Sequence, residues 1–316
     1  MSTPRVVHFH GMVTTSERML ELFELIRRVA PTDASVLLRG ETGTGKELVA
    51  RALHALSRRS EGEFRAINCA TLTGELLASE LFGHVRGAFT GAVADRQGVF
   101  ALAEGGTLFL DEVAEISADL QARLLRVLQE RTYVPLGGST PQTADVRILA
   151  ATHKALRREV AEGRFRADLM YRIRVIPIFL PPLRERYGDV EALAEHFVGE
   201  LNAGGRRQVE HIASTAMDAL LAHAWPGNVR ELSNVMSYAY AVGLGDTITV
   251  DQLPPELRGE PPPIGPFDEG EPDLRRLERE RLLAALRQTR GKKGRAAELL
   301  GMSRTTFWRK LREHGL

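Results

Sequence analysis

The sequence predicts an α/β protein with a parallel-sheet core, a helical subdomain after it and a small all-helical domain at the C terminus. A glycine-rich run ends in Lys46 between a short apolar strand and a helix, and a second apolar strand ends in Asp111 and Glu112. Strands that alternate with helices are typical of a parallel sheet. Beyond residue 183, the apolar residues recur with helical spacing.

The composition is that of an ordinary globular protein. Its 316 residues, 43% of them hydrophobic, are enough for two or three domains. The single cysteine, Cys69, cannot form an internal disulfide, and no Cys/His cluster has zinc spacing, which favours the cytoplasm. Residues 1–15 lack the features of a signal peptide. The most apolar run, Val175–Leu180, is far shorter than the roughly 20 residues of a membrane-spanning helix, so we expect no membrane span.

A candidate phosphate site lies near the N terminus. We predict an amphipathic helix at Ser16–Val29, capped by Thr15 or Ser16, a buried strand at Val36–Leu38 and a helix at Glu47–Leu56. The run that joins strand and helix contains Gly40, Glu41, Thr42, Gly43, Thr44, Gly45 and Lys46. Glycines let backbone N–H groups surround phosphate oxygens, the helix N-terminus adds a positive dipole end and the lysine neutralises charge. The sequence therefore predicts a P-loop that binds a nucleotide.

The acidic pair follows the strand 107–110. Next to a P-loop, Asp111 is placed to hold Mg²⁺, directly or through water, and Glu112 to polarise the attacking water as general base. An acidic helix cap after a strand is the simpler alternative. The other elements predicted in this half of the chain are a strand at Phe64–Asn68, a helix at Gly74–Phe82, a helix at Ala118–Glu130 capped by Ser117 and a strand at Asp145–Ala150.

A small apolar hexapeptide, Gly87–Ala92, stands between the two motifs. A glycine-bounded surface turn is the simplest interpretation, since glycine supplies positive φ and threonine suits a bend. Loop tips are usually polar, however, and an exposed Phe89 indicates a contact surface.

With the P-loop and the acidic strand end, this hexapeptide resembles the GAFTGA loop of the sigma-54-dependent transcription activators, which are AAA+ ATPases. The resemblance extends from about Gly11 to Leu316 and implies an AAA+ core that binds ATP and Mg²⁺. It implies a sigma-54 contact through Gly87, Ala88, Phe89, Thr90, Gly91 and Ala92. Glu47 stands where P-loops generally have a Ser or Thr that binds magnesium, but the family commonly has Glu there. The metal ligands stay open between Thr44, Asp111 and water.

The resemblance also implies roles around the nucleotide. Asn68 matches the residue that hydrogen-bonds the catalytic Glu112 before hydrolysis, so that a shift of either reaches the hexapeptide through the helix 74–82. Thr152 aligns with the sensor of the γ-phosphate. The role of the next residue, His153, stays open.

The segment 165–172 resembles the family's arginine-finger helix, with Arg166 and Arg172 as fingers that reach the ATP of a neighbouring subunit. Planar guanidinium groups suit the spread charge of a phosphoryl transition state. A surface salt bridge is the alternative for each arginine. Met170 and Arg174 depart from the commoner Tyr and Asn of the family.

Three helices are predicted to form the lid, at about 190–202, 214–224 and 229–241. The run Trp225–Leu232 is diagnostic of the family. Asn228 is predicted to cap the last lid helix, which places Arg230 in its first turn, facing the phosphates as a second sensor.

The C-terminal end is basic, with 13 Lys and Arg against 5 Asp and Glu in residues 273–316, a net charge of +8. Such a charge suits nucleic acid. Helices at 273–288, 295–303 and 304–313 resemble a Fis-type helix-turn-helix, with Phe307 and Leu311 facing its core. The residues left for DNA are Ser303, Arg304, Thr305, Thr306, Trp308 and Arg309. Domains of this kind usually dimerise through the first helix.

We therefore expect an AAA+ nucleotide-binding core at 1–182, a helical lid at 183–253, a proline-rich linker at 254–272 and a helix-turn-helix domain at 273–316. The family resemblance implies an activator that binds enhancer DNA and uses ATP hydrolysis to remodel closed complexes of sigma-54 RNA polymerase into open ones. It implies a homo-oligomer, a ring of six subunits for which a dimeric resting state is open. A repressor with a vestigial ATPase and a generic AAA+ remodeller are the alternatives. The P-loop begins at residue 40, so we expect no N-terminal sensory domain. Control would then come from a trans-acting regulator, a paralogue in mixed rings or expression level.

Overall fold

The computed structural model describes residues 5–205, 207–260, 282, 286, 289, 293–300, 302, 307–308 and 310–311. The chain divides into two compact units, Met1–Arg258 and Gly259–Leu316. Within the described residues, every helix is too short or too polar to pass through a lipid bilayer.

The strands of the described residues are β1 (Val7–Phe9), β2 (Met12–Thr14), β3 (Val36–Arg39), β4 (Phe64–Asn68), β5 (Thr107–Asp111), β6 (Thr132–Tyr133), β7 (Gln142–Thr143), β8 (Arg147–Thr152), β9 (Ile176–Phe179), β10 (His211–Ile212) and β11 (Thr247–Ile248). The helices are α1 (Glu17–Val29), α2 (Lys46–Ala55), α3 (Gly74–Phe82), α4 (Val99–Leu102), α5 (Ala118–Glu130), α6 (Leu156–Ala161), α7 (Ala167–Ile173), α8 (Asp189–Gly204), α9 (Ser214–Ala222), α10 (Asn228–Val242) and α11 (Lys293–Leu299).

A five-stranded sheet in the order β4-β5-β8-β3-β9 forms the core of the first unit. All its strand pairs are parallel, which confirms the predicted parallel sheet. Its register places Asn68 beside Asp111 and Arg39 beside Thr152. Because the carboxyl ends of parallel strands meet at one edge, the residues after β3, β4, β5 and β8 converge there.

Both faces of the sheet are covered. Phe109 and Leu38 belong to the core that packs under α1 and α2, and Leu108 and Leu110 to the core under α3, α5 and α7. The helices α8, α9 and α10 enclose a third core around Trp225, whose indole N–H donates to the Leu220 carbonyl. In the second unit, Phe307 and Leu311 are buried with Leu282, Ala296 and Ala297, so their predicted core position is confirmed.

Three predicted helix caps differ in the structure. Ser16 and Ser117 precede α1 and α5, but neither side chain makes a capping hydrogen bond. The prediction for Asn228 is wrong: Gly227 precedes α10, and Asn228 is the first helical residue, with φ of +53°. Its amide is held instead by the P-loop and the segment before the lid.

Candidate nucleotide site

The P-loop has the shape that a phosphate requires. Gly43 and Gly45 have φ of +80° and +99°, which only glycine adopts without strain, and α2 begins at Lys46. Space is open where a Cβ of Gly45 would lie, so a ligand can approach the backbone there. The ammonium of Lys46 lies 3.0 Å from the Gly40 carbonyl oxygen and 3.5 Å from Oε1 of Glu112.

A cavity of about 680 Å³ lies between this loop, the acidic strand end and the lid. That volume is ordinary for a small-molecule site. Of the predicted site residues, those that line the cavity are Thr42, Gly43, Gly45, Lys46, Glu47, Asn68, Asp111, Glu112 and Arg230. The side chain of Glu41 instead faces Arg184, and the hydroxyl of Thr44 donates to the Glu41 carbonyl at 2.8 Å. Gly40 lies under the loop, 3.4 Å from the Thr152 carbonyl.

The acidic pair suits a divalent cation. Burial, and then the neighbouring Glu112 carboxylate, raise the pKa of Asp111, which marks a site where added positive charge is favourable. Mg²⁺ is commonly bound by one or two carboxylates together with water and substrate phosphates. The side chain of Glu47 pairs with Arg51 at 2.7 Å on the surface of α2. Asp111 therefore fits the metal better than Glu47 or Thr44.

His153, whose role the sequence left open, contacts the candidate general base. Its Nδ1 lies 2.7 Å from Oε2 of Glu112, and its backbone N–H is 3.3 Å from the same oxygen. The predicted partner, Asn68, instead donates to Asp111 at 3.4 Å and accepts from the Ala70 N–H at 2.9 Å. The strand register explains this, because Asn68 lies directly beside Asp111.

Thr152, the predicted γ-phosphate sensor, is fully buried. Its hydroxyl accepts a hydrogen bond from the Lys154 N–H at 3.0 Å. The next residue, His153, lines the cavity. Successive side chains at a strand end point in opposite directions, which explains why the histidine and not the threonine reaches the site.

The two finger candidates lie apart from the cavity lining of their own chain. Arg166 pairs with Asp168 at 2.8 Å, as the salt-bridge alternative expected. Arg172 donates from Nη2 to the Leu128 carbonyl at 3.0 Å, near the C-terminal end of α5. Cations are favoured at that end of a helix.

The hexapeptide folds as a tight loop after α3. The Gly87 N–H donates to the Ala92 carbonyl at 2.8 Å, and space is open at the Cβ positions of Gly87 and Gly91. At the root of the loop, a Cβ on Gly98 would lie 2.3 Å from the Gly83 nitrogen. The two backbones therefore cross in contact.

The aromatic residue of the loop is not fully exposed, contrary to the prediction. Phe89 is half-buried, and its ring meets the His84 ring edge to face at 5.0 Å. His84 is itself buried and lies 2.7 Å from the Ser79 hydroxyl. Thr90 is exposed, and Val93, just beyond the hexapeptide, is 83% exposed.

Most of the DNA candidates lie outside the described residues, namely Ser303, Arg304, Thr305, Thr306 and Arg309. Trp308 is described and 57% exposed, and the Lys293 ammonium lies 4.3 Å from the centre of its ring.

Comparison with known proteins identifies the family. The Sigma-54 interaction domain matches residues 12–179, the AAA+ ATPase lid domain 184–265 and the Fis family of bacterial regulatory proteins 273–314. The chain is 48% identical to the transcriptional regulatory protein ZraR of Klebsiella oxytoca, covering 95% of this chain and 68% of the relative. It is 44% identical to the regulatory protein AtoC of Escherichia coli, covering 96% of this chain and 68% of the relative.

Solved structures agree. NtrX from Brucella abortus, in complex with ADP, is 36% identical, with a TM-score of 0.72 over 96% of this chain and 70% of that one. The same protein in complex with ATP has a TM-score of 0.70. The chain therefore belongs to the sigma-54-dependent transcriptional activators: it is a nucleotide-binding AAA+ ATPase with a Fis-type helix-turn-helix.

Proposed function

We propose that this activator binds enhancer DNA through its C-terminal domain and hydrolyses ATP in a ring of six subunits, with a dimer as its resting state. Hydrolysis drives Phe89 and Thr90 against sigma-54 and remodels closed polymerase complexes into open ones. The observation that carries the proposal is the position of α3, which joins the strand end at Asn68 to the hexapeptide loop.

The chemistry follows from the cavity residues. The P-loop and Lys46 bind the phosphates, and Arg230 contacts them from the lid. Asp111 would hold Mg²⁺, which would neutralise charge on the phosphates. Glu112 takes the proton of the attacking water. Asn68 responds to hydrolysis through its hydrogen bond to Asp111. Thr152, the predicted sensor of the γ-phosphate, has a buried side chain and would act through the neighbouring His153.

The fingers Arg166 and Arg172 are proposed to act in the neighbouring subunit's site. Neither arginine lines the cavity of its own chain, which supports this, because a finger that serves only a neighbour's nucleotide makes hydrolysis depend on assembly. For the C-terminal domain, we propose that Ser303, Arg304, Thr305, Thr306, Trp308 and Arg309 contact DNA. The exposure of Trp308 supports its place in that surface.

The domain limits 1–182, 183–253, 254–272 and 273–316 and a cytoplasmic location are part of the proposal. The test is Thr90→Ala in the full chain, with ATPase and open-complex formation measured side by side. We expect ATPase activity to be kept and open complexes to be lost, since Thr90 is exposed on the loop and does not line the nucleotide cavity. Open complexes at the wild-type level would contradict the proposal.

A further inference from the structure

Consecutive residues of the P-loop accept hydrogen bonds from the segment before the lid and from the start of α10. The Glu41 carboxylate accepts two hydrogen bonds from Arg184, at 2.6 and 2.9 Å, and one from Nδ2 of Asn228 at 3.1 Å. These hydrogen bonds lower the pKa of Glu41, that from Arg184 most. Nδ2 of Asn228 also donates to the Thr42 carbonyl at 3.0 Å.

The next two P-loop residues are bonded in the same way. The Val229 N–H donates to the Gly43 carbonyl at 3.1 Å, and a Cβ on Gly43 would lie 2.1 Å from the Gly227 oxygen. The Thr44 carbonyl accepts from Nη2 of the buried Arg186 at 2.8 Å. Burial lowers the pKa of Arg186 to about 10. The start of α10 is therefore in direct backbone contact with the loop that holds the phosphates.

Asn228 is the centre of this junction. It is fully buried, and its Oδ1 accepts from the Leu183 N–H at 2.8 Å while Nδ2 serves the P-loop. Its φ of +53° turns the chain at the start of α10. A buried amide whose partners lie on two other segments, the P-loop and the chain at Leu183, resists displacement, because moving either segment leaves a polar group unpaired.

The junction determines where Arg230 lies. Arg230 follows Asn228 by two residues and lines the cavity. The contacts of Asn228 and Val229 fix the backbone from which its side chain extends. The side chain of Glu41 points away from the cavity, toward Arg184, so its contribution to the site is made through these contacts.

We propose that Glu41 and Asn228 are positioning residues for Arg230: they hold the first turn of α10 against the P-loop, so that the guanidinium meets a nucleotide bound by that same loop. The inference rests on the proposed role of Arg230. A change in the P-loop on nucleotide exchange is then passed directly to the lid.

The test is epistasis in the full chain. Asn228→Gly removes the amide and keeps the positive φ. We expect it to raise the Kd for a fluorescent ADP analogue and to lower kcat/KM by about 10- to 100-fold. Arg230→Ala should have a similar effect. If Asn228 acts through Arg230, the double variant is no worse than Arg230→Ala alone, whereas a role in general stability would give additive losses.

A donor–acceptor exchange gives the rescue. Asn228→Asp places a second carboxylate beside that of Glu41 and should weaken nucleotide binding. In the double variant with Glu41→Gln, the new amide at position 41 can donate to the new carboxylate at position 228. We expect the pair to recover at least part of the loss. Glu185→Ala is the matched control, because Glu185 adjoins Arg184 but pairs with Arg18 on the surface. It should leave Kd and kcat unchanged.

The outcomes separate the two proposals. If Arg230→Ala leaves nucleotide binding and turnover at the wild-type level, the proposed sensor role fails. If Arg230→Ala is impaired but Asn228→Gly is not, or if the double variant is additive, only the positioning role is overturned. Thermal unfolding checks the fold of each variant, and Glu41→Gln, at a half-exposed side chain, carries the test if Asn228→Gly does not fold.

Discussion

Nδ1 of His153 and Oε2 of Glu112 are 2.7 Å apart, while the other carboxylate oxygen of Glu112 lies 3.5 Å from the Lys46 ammonium. Both carboxylate oxygens of Glu112, the candidate general base, therefore have a side-chain partner within the protein itself. Glu112 also has a φ of +50°, a conformation that non-glycine residues rarely adopt. Such a backbone is retained where the surrounding structure fixes it.

We expect His153→Ala to lower kcat about tenfold, because a general base out of position loses much of its advantage. The Kd for ATP should stay near that of the wild type. His153→Asn, which keeps a side-chain donor, should retain more activity. Steady-state ATPase assays and nucleotide titration measure both quantities. Lys154→Ala, which removes the neighbouring pair with Glu115, is the control. Wild-type kcat in His153→Ala would refute the positioning of Glu112 by His153.

We expect the finger and P-loop variants to complement each other. Arg172→Ala and Lys46→Ala should each lose activity, by about 10³- to 10⁵-fold for a lost finger. In mixed rings, an intact P-loop of the first variant meets an intact finger of the second, and ATPase activity should return. A mixture of Arg172→Ala with Arg166→Ala offers no complete finger pair and should stay inactive. Failure of the first mixture to regain turnover would argue against fingers that act between subunits.

Alanine substitutions at two P-loop glycines should distinguish the cost of a left-handed backbone from the cost of a steric clash with the lid. Gly45→Ala should lower the free energy of unfolding by about 1–2 kcal/mol, the cost of a left-handed alanine, since nothing lies within 4 Å of the added Cβ. Gly43→Ala should cost more, because its Cβ also meets the Gly227 oxygen at 2.1 Å. Urea unfolding without nucleotide gives both values. Equal losses would mean that the lid moves aside freely.

The pH dependence of stability should include a contribution from His54. Burial, with the Arg147 guanidinium adding to it, lowers the pKa of His54 from 6.5. As pH falls through about 6.5, His54 takes up a proton in the unfolded chain but stays neutral in the folded chain. The folding free energy contributed by neutral His54 is therefore complete above about pH 7 and is lost on acidification. His54→Gln should make the free energy of unfolding less dependent on pH between about 7 and 5. A slope in His54→Gln equal to that of the wild type would contradict this contribution.

Periodicity and strand-helix alternation predicted most of the fold. The bounds of α3 and α5 match the predicted Gly74–Phe82 and Ala118–Glu130, because their apolar faces repeat without interruption. The sheet order did not follow from the sequence. The order depends on which strands pair across long connections, and the local hydrophobic pattern of the sequence does not indicate those pairings.

The sequence predicted most of the residues of the site but not the contacts that they make. Asn228 has the residue type of a helix cap, but tertiary partners on the P-loop and Leu183 outcompete the local bond. His153 was overlooked as a contact of Glu112 because the two are 41 residues apart in the chain and meet only through the strand pairing. Phe89 was expected to be exposed, and the ring of His84, five residues earlier, covers one side of it.

The backbone crossing at Gly83 and Gly98 has a mechanical consequence. Chains in contact there leave no room for either strand of the loop to slide, so the root behaves as a rigid pivot. Gly87 and Gly91 lie farther along the loop, in open space. With its root fixed in this way, the loop that carries Phe89 and Thr90 would be carried along when α3 rotates, and would not slide past it.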